Sequence, residues 1–187
     1  MTLDLAGCSD GELAALALAG RQSAYGELMR RHRDPVYRLV RGHVGDADAA
    51  LDVTQQSFIA AFSALGRYDA TRPFRVWMAR IAINKCHDWT RRRAVRRLFS
   101  FALPIDAAND VADEAATPEG LASDRQQLER TMTAIAALPG SLKEPLILRT
   151  IEGLSQAETA SVLGISEKAV ETRVYRARAR LEESLRD

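Results

Sequence analysis

Residues 154–181, "LSQAETASVLGISEKAVETRVYRARARL", constrain the fold of this chain more than any other stretch. Ser155 is suited to the N-cap of a short helix that ends near Leu163, because its hydroxyl can accept a hydrogen bond from a free backbone N–H. Gly164 follows at the point where a sharp turn requires a positive φ, and Ser166 can cap the next helix. The segment therefore predicts two helices joined by a tight turn.

The second of these helices has two distinct faces. Apolar side chains recur at helical spacing along one face, at Val170, Val174, Ala177 and Leu181. The opposite face carries Lys168, Thr172, Tyr175 and Arg176. Because Ala160 is also small where the two helices would cross, the pattern predicts a helix-turn-helix whose second helix enters the major groove of DNA. An amphipathic helix with a solvated polar face is the alternative.

The rest of the chain is predicted to be all-α, since no segment of any length shows a β alternation. Ser9 and Glu12 form a potential capping box for a helix that runs to about Ala19. A second helical pattern runs from about residue 22 to 44, and we expect it to be interrupted at Asp34-Pro35.

Three further apolar stripes at helical spacing indicate core-facing helices. Between residues 46 and 65 the predicted stripe is Leu51, Phe58, Phe62 and Leu65. The next is Phe74, Trp77, Met78 and Ile81. The last is Leu121, Leu128, Met132, Ile135 and Leu138.

A segment of different composition separates the last stripe from the others. Residues 103–118, "LPIDAANDVADEAATP", are rich in Ala and Asp and contain no basic residue. Such a composition buries too little apolar surface to order itself, which predicts a flexible acidic linker. We therefore expect two small helical domains, 1–100 and 119–187, joined by a linker over residues 101–118.

The positive charge of the chain is concentrated in one place. The formal net charge is only +1, yet residues 67–97 contain ten basic and two acidic side chains. Five arginines fall between Arg91 and Arg97. A local charge of +8 predicts a polyanionic partner at this stretch, although charge runs of this kind also occur as solvated helix faces.

Several classes of function have little support in the sequence. No apolar run approaches the length of a membrane span, and no signal peptide is indicated, so we expect a cytoplasmic protein without membrane insertion. Three histidines and two cysteines, scattered along the chain, provide no triad, metal-ligand spacing or cofactor motif. The triplet Cys86-His87-Asp88 has no further ligands at helical or loop spacing nearby. We therefore expect no catalytic centre, no cofactor and no metal site.

Four segments together resemble the extracytoplasmic-function (ECF, group 4) sigma factors of the sigma-70 family of bacterial RNA polymerase. Residues 24–40 are similar to region 2.1 of that family, residues 46–65 to region 2.2, and residues 72–93 to regions 2.3–2.4. Residues 138–181 are similar to region 4. The resemblance implies two helical domains that hold core polymerase, through the β′ clamp helices and the β subunit, and read the −10 and −35 promoter elements. It also implies an anti-sigma factor as a regulatory partner.

The resemblance assigns roles to three groups of residues. Core-polymerase binding is expected at Asp48, Asp52, Gln55 and Gln56, which form a polar stripe at i, i+4, i+7 and i+8. Contacts to −10 DNA are expected at Asn84, a candidate for reading an unstacked base, and at Arg80, Lys85, Arg91, Arg92, Arg93, Arg96 and Arg97. Contacts to −35 DNA are expected at Arg149, Lys168, Thr172, Tyr175 and Arg176.

Three positions depart from the family pattern. Leu51 and Gln56 stand where acidic residues are usual in region 2.2, and Glu171 stands where region 4 often has a basic residue. Two other functions stay open at this point. One is a helix-turn-helix regulator that acts without polymerase, and the other is a sigma mimic that titrates an anti-sigma factor.

Overall fold

In a computed structural model the chain is described over residues 4–102 and 119–186, with side chains described over 4–99 and 126–186. Within these residues it forms eight α-helices and one short 3-10 helix, and no strand. The 3-10 helix spans Leu65–Arg67. The α-helices are α1 (Asp10–Leu18), α2 (Gln22–Val44), α3 (Ala47–Ser63), α4 (Phe74–Ala102), α5 (Glu119–Ala137), α6 (Gly140–Thr150), α7 (Gln156–Leu163) and α8 (Glu167–Arg186).

Helices α1 to α4 form an N-terminal bundle in which α2 packs against the other three. The predicted capping box starts α1, because Ser9 accepts from the backbone N–H of Glu12 while the Glu12 carboxylate accepts from the backbone N–H of Ser9. Asp46 caps α3 by accepting from Ala49 N–H at 2.7 Å. The fully buried side chains of this bundle include Leu13, Leu28, Leu39, Phe74 and Met78.

The predicted interruption of the second helix at Asp34-Pro35 is wrong, since α2 is continuous through both residues. Pro35 has no N–H and leaves one intrahelical hydrogen bond unmade. Val36, Leu39 and Val40 follow directly and are 5%, 1% and 0% exposed. Burial of these side chains keeps the backbone helical past the proline, because it stabilises the helix by more than the missing bond costs.

Two predicted core positions lie at the surface instead. Leu51 in α3 is 53% exposed and Leu128 in α5 is 59% exposed. The buried face of α3 consists of Ala50, Val53, Thr54, Ser57, Phe58 and Ala61. Leu51 lies beside this face, whereas Phe58 and Leu65 are buried as predicted.

Helices α5 to α8 form a C-terminal bundle that contains the predicted helix-turn-helix. Ser155 and Glu158 form a capping box at the start of α7, and Gly164 ends α7 with φ at 66°. Ser166 accepts from Ala169 N–H at 3.2 Å at the start of α8. The predicted apolar stripe of α8 faces inward, with Val170, Val174 and Ala177 buried and Leu181 partly buried. These predictions are confirmed.

The segment between the two bundles is described only at its ends. Residues 101 and 102, placed in the predicted linker, belong to α4. The linker residues 103–118 and the side chain of Leu121 lie outside the described residues. Elsewhere in α5, Ile135 and Leu138 are buried and Met132 is partly buried, as predicted.

The two bundles pack against each other, with α2 contacting α5 and α6 and α4 contacting α7. A Cβ added at Gly42 would lie 3.2 Å from the side chain of Ile147, so these helices approach closely. Lys143 crosses the boundary, because its ammonium group donates to the carbonyl of His43 at 2.9 Å. Among the described residues, no helix has the length and apolar character that crossing a bilayer requires.

Candidate polymerase and nucleic-acid interfaces

The polar stripe of α3 is exposed at all four predicted positions, but it faces two directions. One side of the stripe borders α4 in a cleft of about 400 Å³, lined by Asp48, Ala49, Asp52, Gln56, Trp89, Arg92 and Arg96. Gln55 belongs to the other side, a cleft of about 370 Å³ with a largely apolar lining that includes Met29, Tyr37, Leu51 and Phe58. The stripe therefore has an acidic half beside basic residues and a neutral half beside exposed apolar residues.

The first cleft brings two predicted surfaces together. Asp48 and Asp52 were assigned to polymerase binding, whereas Arg92 and Arg96 were assigned to DNA. The cleft therefore places acidic side chains of α3 opposite basic side chains of α4. The two predicted binding surfaces thus meet along one edge of the N-terminal bundle.

The basic run of α4 does not form a single face. Arg80, Asn84 and Arg91 share one side of the helix, because they are spaced at i, i+4 and i+11. Arg92 and Arg96 point to the cleft beside α3. All five of these side chains are exposed, and Arg97 is exposed as well. The positive charge therefore surrounds the C-terminal part of the described α4.

Three of the basic side chains have partners on α4 itself. Arg91 pairs with Asp88, three positions earlier, and Lys85 lies 3.9 Å from the same carboxylate. The hydrogen bond from Arg91 holds the pKa of Asp88 below its usual value. The guanidinium of Arg93 lies 5.1 Å from the ring centroid of Trp89, which is a cation–π contact.

The C-terminal bundle lies beside the Asn84 face of α4. Arg80, one turn before Asn84, lines a cleft of about 150 Å³ together with Ser161 and Val162 of α7. His87, one turn after Asn84, contacts Glu144 of α6. Asn84 itself is exposed, but one neighbour on its face borders a cleft shared with the other bundle and the other contacts that bundle directly.

The polar face of α8 is open to solvent. Lys168, Thr172, Tyr175 and Arg176 are all exposed, and Tyr175 is 75% exposed. The Thr172 hydroxyl donates to the Lys168 carbonyl at 2.9 Å, within the helix. An exposed aromatic ring between basic side chains, on the second helix of a helix-turn-helix, is suited to contact with DNA.

A cleft of about 460 Å³ continues this face toward α6 and α7. It is lined by Arg149, Gln156, Val170, Glu171, Thr172, Val174, Tyr175 and Arg178. Arg149 donates to the carbonyl of Leu154, so its guanidinium is held at one side of the cleft. Arg178 and Gln156 were missed by the sequence analysis. The available signal for Arg178 was its spacing, seven residues after Glu171 and three after Tyr175.

Glu171, the departure from the region 4 pattern, has a local partner. Its carboxylate lies 2.9 Å from the ammonium group of Lys168, one turn earlier. This ion pair neutralises the acidic side chain on the face predicted to approach phosphate. The departure is therefore balanced within α8.

A cluster of two imidazoles and one carboxylate lies where the two bundles meet. The Nε2 atoms of His43 and His87 lie 3.3 Å and 2.6 Å from the same Oε1 atom of Glu144. Burial raises the pKa of Glu144, but the hydrogen bonds from His43 and His87 outweigh burial and the net pKa is lowered. These three side chains can serve as metal ligands.

The three residues of the triplet Cys86-His87-Asp88, where no metal site was expected, have different surroundings. Cys86 is fully buried, and burial raises the pKa of its thiol to about 12, which makes it unreactive. Asp88 pairs with Arg91. His87, however, finds its companions 57 positions along the chain in α6 and, through Glu144, in α2. No local spacing signals that arrangement.

These features define the class of protein: an all-α chain with an exposed helix-turn-helix face and a second bundle that presents an arginine-rich helix. Comparison with known proteins gives the family. Residues 28–96 match sigma-70 region 2 and residues 128–181 match sigma-70 region 4.

Individual relatives match nearly the whole chain. The chain is 39% identical to the RNA polymerase sigma factor CnrH of Cupriavidus metallidurans, over 92% of this chain and 92% of that protein. It is 33% identical to the ECF RNA polymerase sigma factor SigM of Mycobacterium tuberculosis, over 92% of this chain and 83% of that protein. The chain belongs to the sigma-70 family of RNA polymerase sigma factors, in its ECF group, as its sequence predicted.

Solved structures agree with this assignment. The structure of CnrH in complex with the cytosolic domain of CnrY matches with a TM-score of 0.70 and 34% identity, over 94% of this chain and 96% of that chain. A sigma factor RpoE, solved with the anti-sigma factor NepR from Bartonella quintana, has the same fold at 19% identity, with a TM-score of 0.68 over 87% of this chain and 96% of that chain.

Proposed function

We propose that this chain is a promoter-specificity subunit that binds core RNA polymerase in the cytoplasm and directs it to its promoters without catalytic chemistry of its own. The observation that carries this proposal is the order of the two family matches, region 2 at residues 28–96 and region 4 at residues 128–181. Each match coincides with an exposed face of suitable chemistry. The polymerase would supply catalysis, and the two bundles would supply recognition.

Docking on polymerase is assigned to the exposed stripe of α3. Asp48 and Asp52 provide carboxylates for basic side chains of the partner, and Gln55 and Gln56 provide amides. Leu51, where the family usually has an acidic residue, adds an exposed apolar side chain beside Gln55. We therefore expect docking that depends partly on apolar contact and less on charge than in relatives with the full acidic set.

Recognition of the −10 element is assigned to α4. The exposed amide of Asn84 can read the edge of an unstacked base, and the arginines around it can neutralise phosphates. Because the C-terminal bundle lies beside this face and contacts His87, we expect DNA to reach Asn84 fully only when the two bundles separate. The packed arrangement would thus be a resting state.

Recognition of the −35 element is assigned to α8 and the cleft beside it. Tyr175 can pack on sugar or base edges, while Arg149 and Arg178 in the same cleft and the exposed Arg176 supply positive charge. Thr172 and Lys168 lie on the same face. Two modules that bind weakly on their own bind strongly when one polymerase holds both, since each raises the local concentration of the other.

An anti-sigma factor is the proposed regulatory partner. The related CnrH was solved in complex with the cytosolic domain of CnrY, and its similarity to this chain extends over both bundles. A partner that binds both bundles would stabilise their packed arrangement and keep the Asn84 face closed. The same surfaces would serve a sigma mimic that only titrates such a partner, so the two functions need an experiment to separate them.

The experiment is a pull-down of core polymerase with untagged full-length chain, followed by transcription in vitro on a promoter library. Asp52→Arg should reduce core binding at least about tenfold, because it places a cation on the docking stripe. Glu182→Arg, the same change at an exposed position of α8, is the control and should bind normally. Unchanged binding of Asp52→Arg, or no specific transcript with an active core, would contradict the proposal.

A second variant tests the −35 assignment. Arg178→Ala should weaken binding to promoters with an intact −35 element, because Arg178 lines the cleft beside Tyr175. Arg180→Ala is the matched control, since Arg180 is exposed on the same helix but outside that cleft. If the two substitutions weakened promoter binding equally, the cleft beside Tyr175 would not be the site of the −35 contact.

A further inference from the structure

The cluster at the boundary of the two bundles draws one side chain from each of three helices. His43 comes from the end of α2, His87 from the middle of α4, and Glu144 from α6. One potential ligand atom from each lies within 4.8 Å of the other two. The side chain of His43 is 5% exposed and that of Glu144 13%, whereas His87 is 47% exposed. The group is buried on one side and reachable from solvent on the other.

The buried imidazole of His43 has only weak hydrogen bonding among the described residues. Its Nε2 lies 3.3 Å from Glu144 Oε1, which is long for a hydrogen bond. Its Nδ1 is buried and has no hydrogen-bond partner among the described residues. A buried imidazole with one long contact and one unpartnered nitrogen costs free energy that a stronger bond would offset.

The spacing of the three side chains is close to that of ligands around one metal ion. Two ligands that each lie 2.0–2.1 Å from one tetrahedral ion are about 3.3 Å apart. The His43–Glu144 distance already has that value, and the 2.6 Å between His87 and Glu144 has to open by less than about 1 Å. The ligand atoms of His43 and His87 lie within 4.8 Å of each other, and the half-exposed side chain of His87 can move to adjust its distances to both partners.

The charges that face the cluster permit a cation. Lys143 is the basic group beside it, but its ammonium group points to the carbonyls of His43 and Ala136, at 2.9 Å and 2.6 Å. The carboxylate of Glu144 supplies negative charge at the position of the shared contact.

We propose that His43, His87 and Glu144 bind a divalent first-row transition-metal ion, such as Zn²⁺, and that this ion ties the N-terminal bundle to the C-terminal bundle. Two imidazoles and one carboxylate form a ligand set that suits Zn²⁺, Co²⁺ and Ni²⁺. Water could complete the coordination of such an ion, because the side chain of His87 is 47% exposed. Since two ligands belong to one bundle and one to the other, the complete set exists only in the packed arrangement.

The metal therefore favours the packed arrangement over the separated one. A ligand that binds only one of two states shifts the equilibrium toward that state in proportion to its concentration over its dissociation constant. If the chain works as proposed above, the ion holds the Asn84 face closed and opposes polymerase and promoter binding. This consequence rests on the proposed function, whereas metal binding itself does not.

The test uses untagged full-length chain, Co²⁺ as a spectroscopic probe and Zn²⁺ in calorimetry. The wild type should bind about one equivalent and give the visible absorption of Co²⁺ with nitrogen and oxygen ligands. His87→Gln and Glu144→Gln should each weaken binding by more than about tenfold, because even the loss of an outer hydrogen bond to a ligand costs 10- to 100-fold. Circular dichroism confirms that the variants are folded.

His32→Gln is the matched control, since His32 is the remaining histidine of the chain and contacts Asp10 in the N-terminal bundle instead. It should bind Co²⁺ and Zn²⁺ as the wild type does. The proposal would be overturned if the wild type bound no metal, or if His87→Gln and Glu144→Gln bound it as tightly as the wild type does.

A polymerase assay separates this proposal from the proposed function. Zn²⁺ should reduce binding of the wild type to core polymerase and leave His87→Gln unaffected. If the wild type binds metal but never binds core, the metal site stands and the proposed function fails. If core binding is normal and no metal binds, the metal site fails and the proposed function stands.

Discussion

Arg75 of α4 forms an ion pair with Glu158, the same residue that completes the capping box of α7. The guanidinium lies 2.9 Å and 3.1 Å from the two carboxylate oxygens, while one of those oxygens also accepts from Ser155 N–H at 2.7 Å. Burial raises the pKa of Glu158, but the hydrogen bonds from Ser155 and Arg75 outweigh it and the net pKa is lowered. One carboxylate thus joins the start of the helix-turn-helix to the N-terminal bundle.

Reversing the charge of Arg75 should increase the fraction of molecules in which the two bundles are separated. Arg75→Glu places two carboxylates together. Their repulsion adds to the loss of the exposed ion pair, which alone is worth about 0.2–1 kcal/mol. We expect a larger average distance between dyes attached to the two bundles, measured by energy transfer. Arg30→Glu makes the same change at an exposed position of α2 that pairs with Glu27 on its own helix, and it should leave the distance unchanged.

Glu152 should make stability depend on pH. Burial raises its pKa to about 7, although Arg38 acts in the opposite direction. The pKa of Glu152 in the folded state lies above its usual value of 4.5, so folding favours the protonated carboxyl. The contribution of this group to the free energy of unfolding is therefore fully present below about pH 4.5 and is lost as pH rises toward 7. Glu152→Gln should therefore be more stable than the wild type above pH 7, on the order of 1–3 kcal/mol.

Chemical denaturation at pH 5 and pH 8 measures this effect as the difference between variant and wild type. Glu182→Gln, at an exposed position of α8, should show no such difference. A Glu152→Gln protein with the same pH profile as the wild type would contradict the assigned cause.

Two arginines of α4 should contribute to the salt dependence of binding to −10 DNA. Arg92→Gln with Arg93→Gln should lower the slope of log affinity against log salt by about one to two units, if both contact phosphates. Arg30→Gln with Arg33→Gln is the control, because both arginines are exposed on α2 and pair with Glu27 and Asp34. An unchanged slope in the α4 variant would exclude its phosphate contacts.

Two glycine substitutions should have opposite effects on the free energy of unfolding. Gly164→Ala forces a Cβ into the left-handed region at φ 66°, which costs about 1–2 kcal/mol, although no atom obstructs the added methyl. Gly26→Ala lies inside α2 with nothing within 4 Å, and it should stabilise the chain by about 0.5–1 kcal/mol. Urea denaturation of both variants tests the pair, and destabilisation by Gly26→Ala would show that α2 needs the glycine.

The local features of this protein were predictable from sequence because each depends on residues a few positions apart. The capping boxes at Ser9 and Ser155, the turn at Gly164 and the inward stripe of α8 involve neighbours within one or two helical turns. A residue type and its spacing were sufficient to place these features, and with them the family.

The tertiary structure decided what depends on more distant residues. Packing of Val36 and Val40 carries α2 past Pro35, which its sequence alone predicted as a break. The packing of α3 in the bundle leaves Leu51 exposed and divides the polar stripe of α3 between two clefts. The contact of His43 and His87 with Glu144 exists only because the two bundles pack, and the free energy of that packing is distributed over contacts that no short stretch of sequence contains.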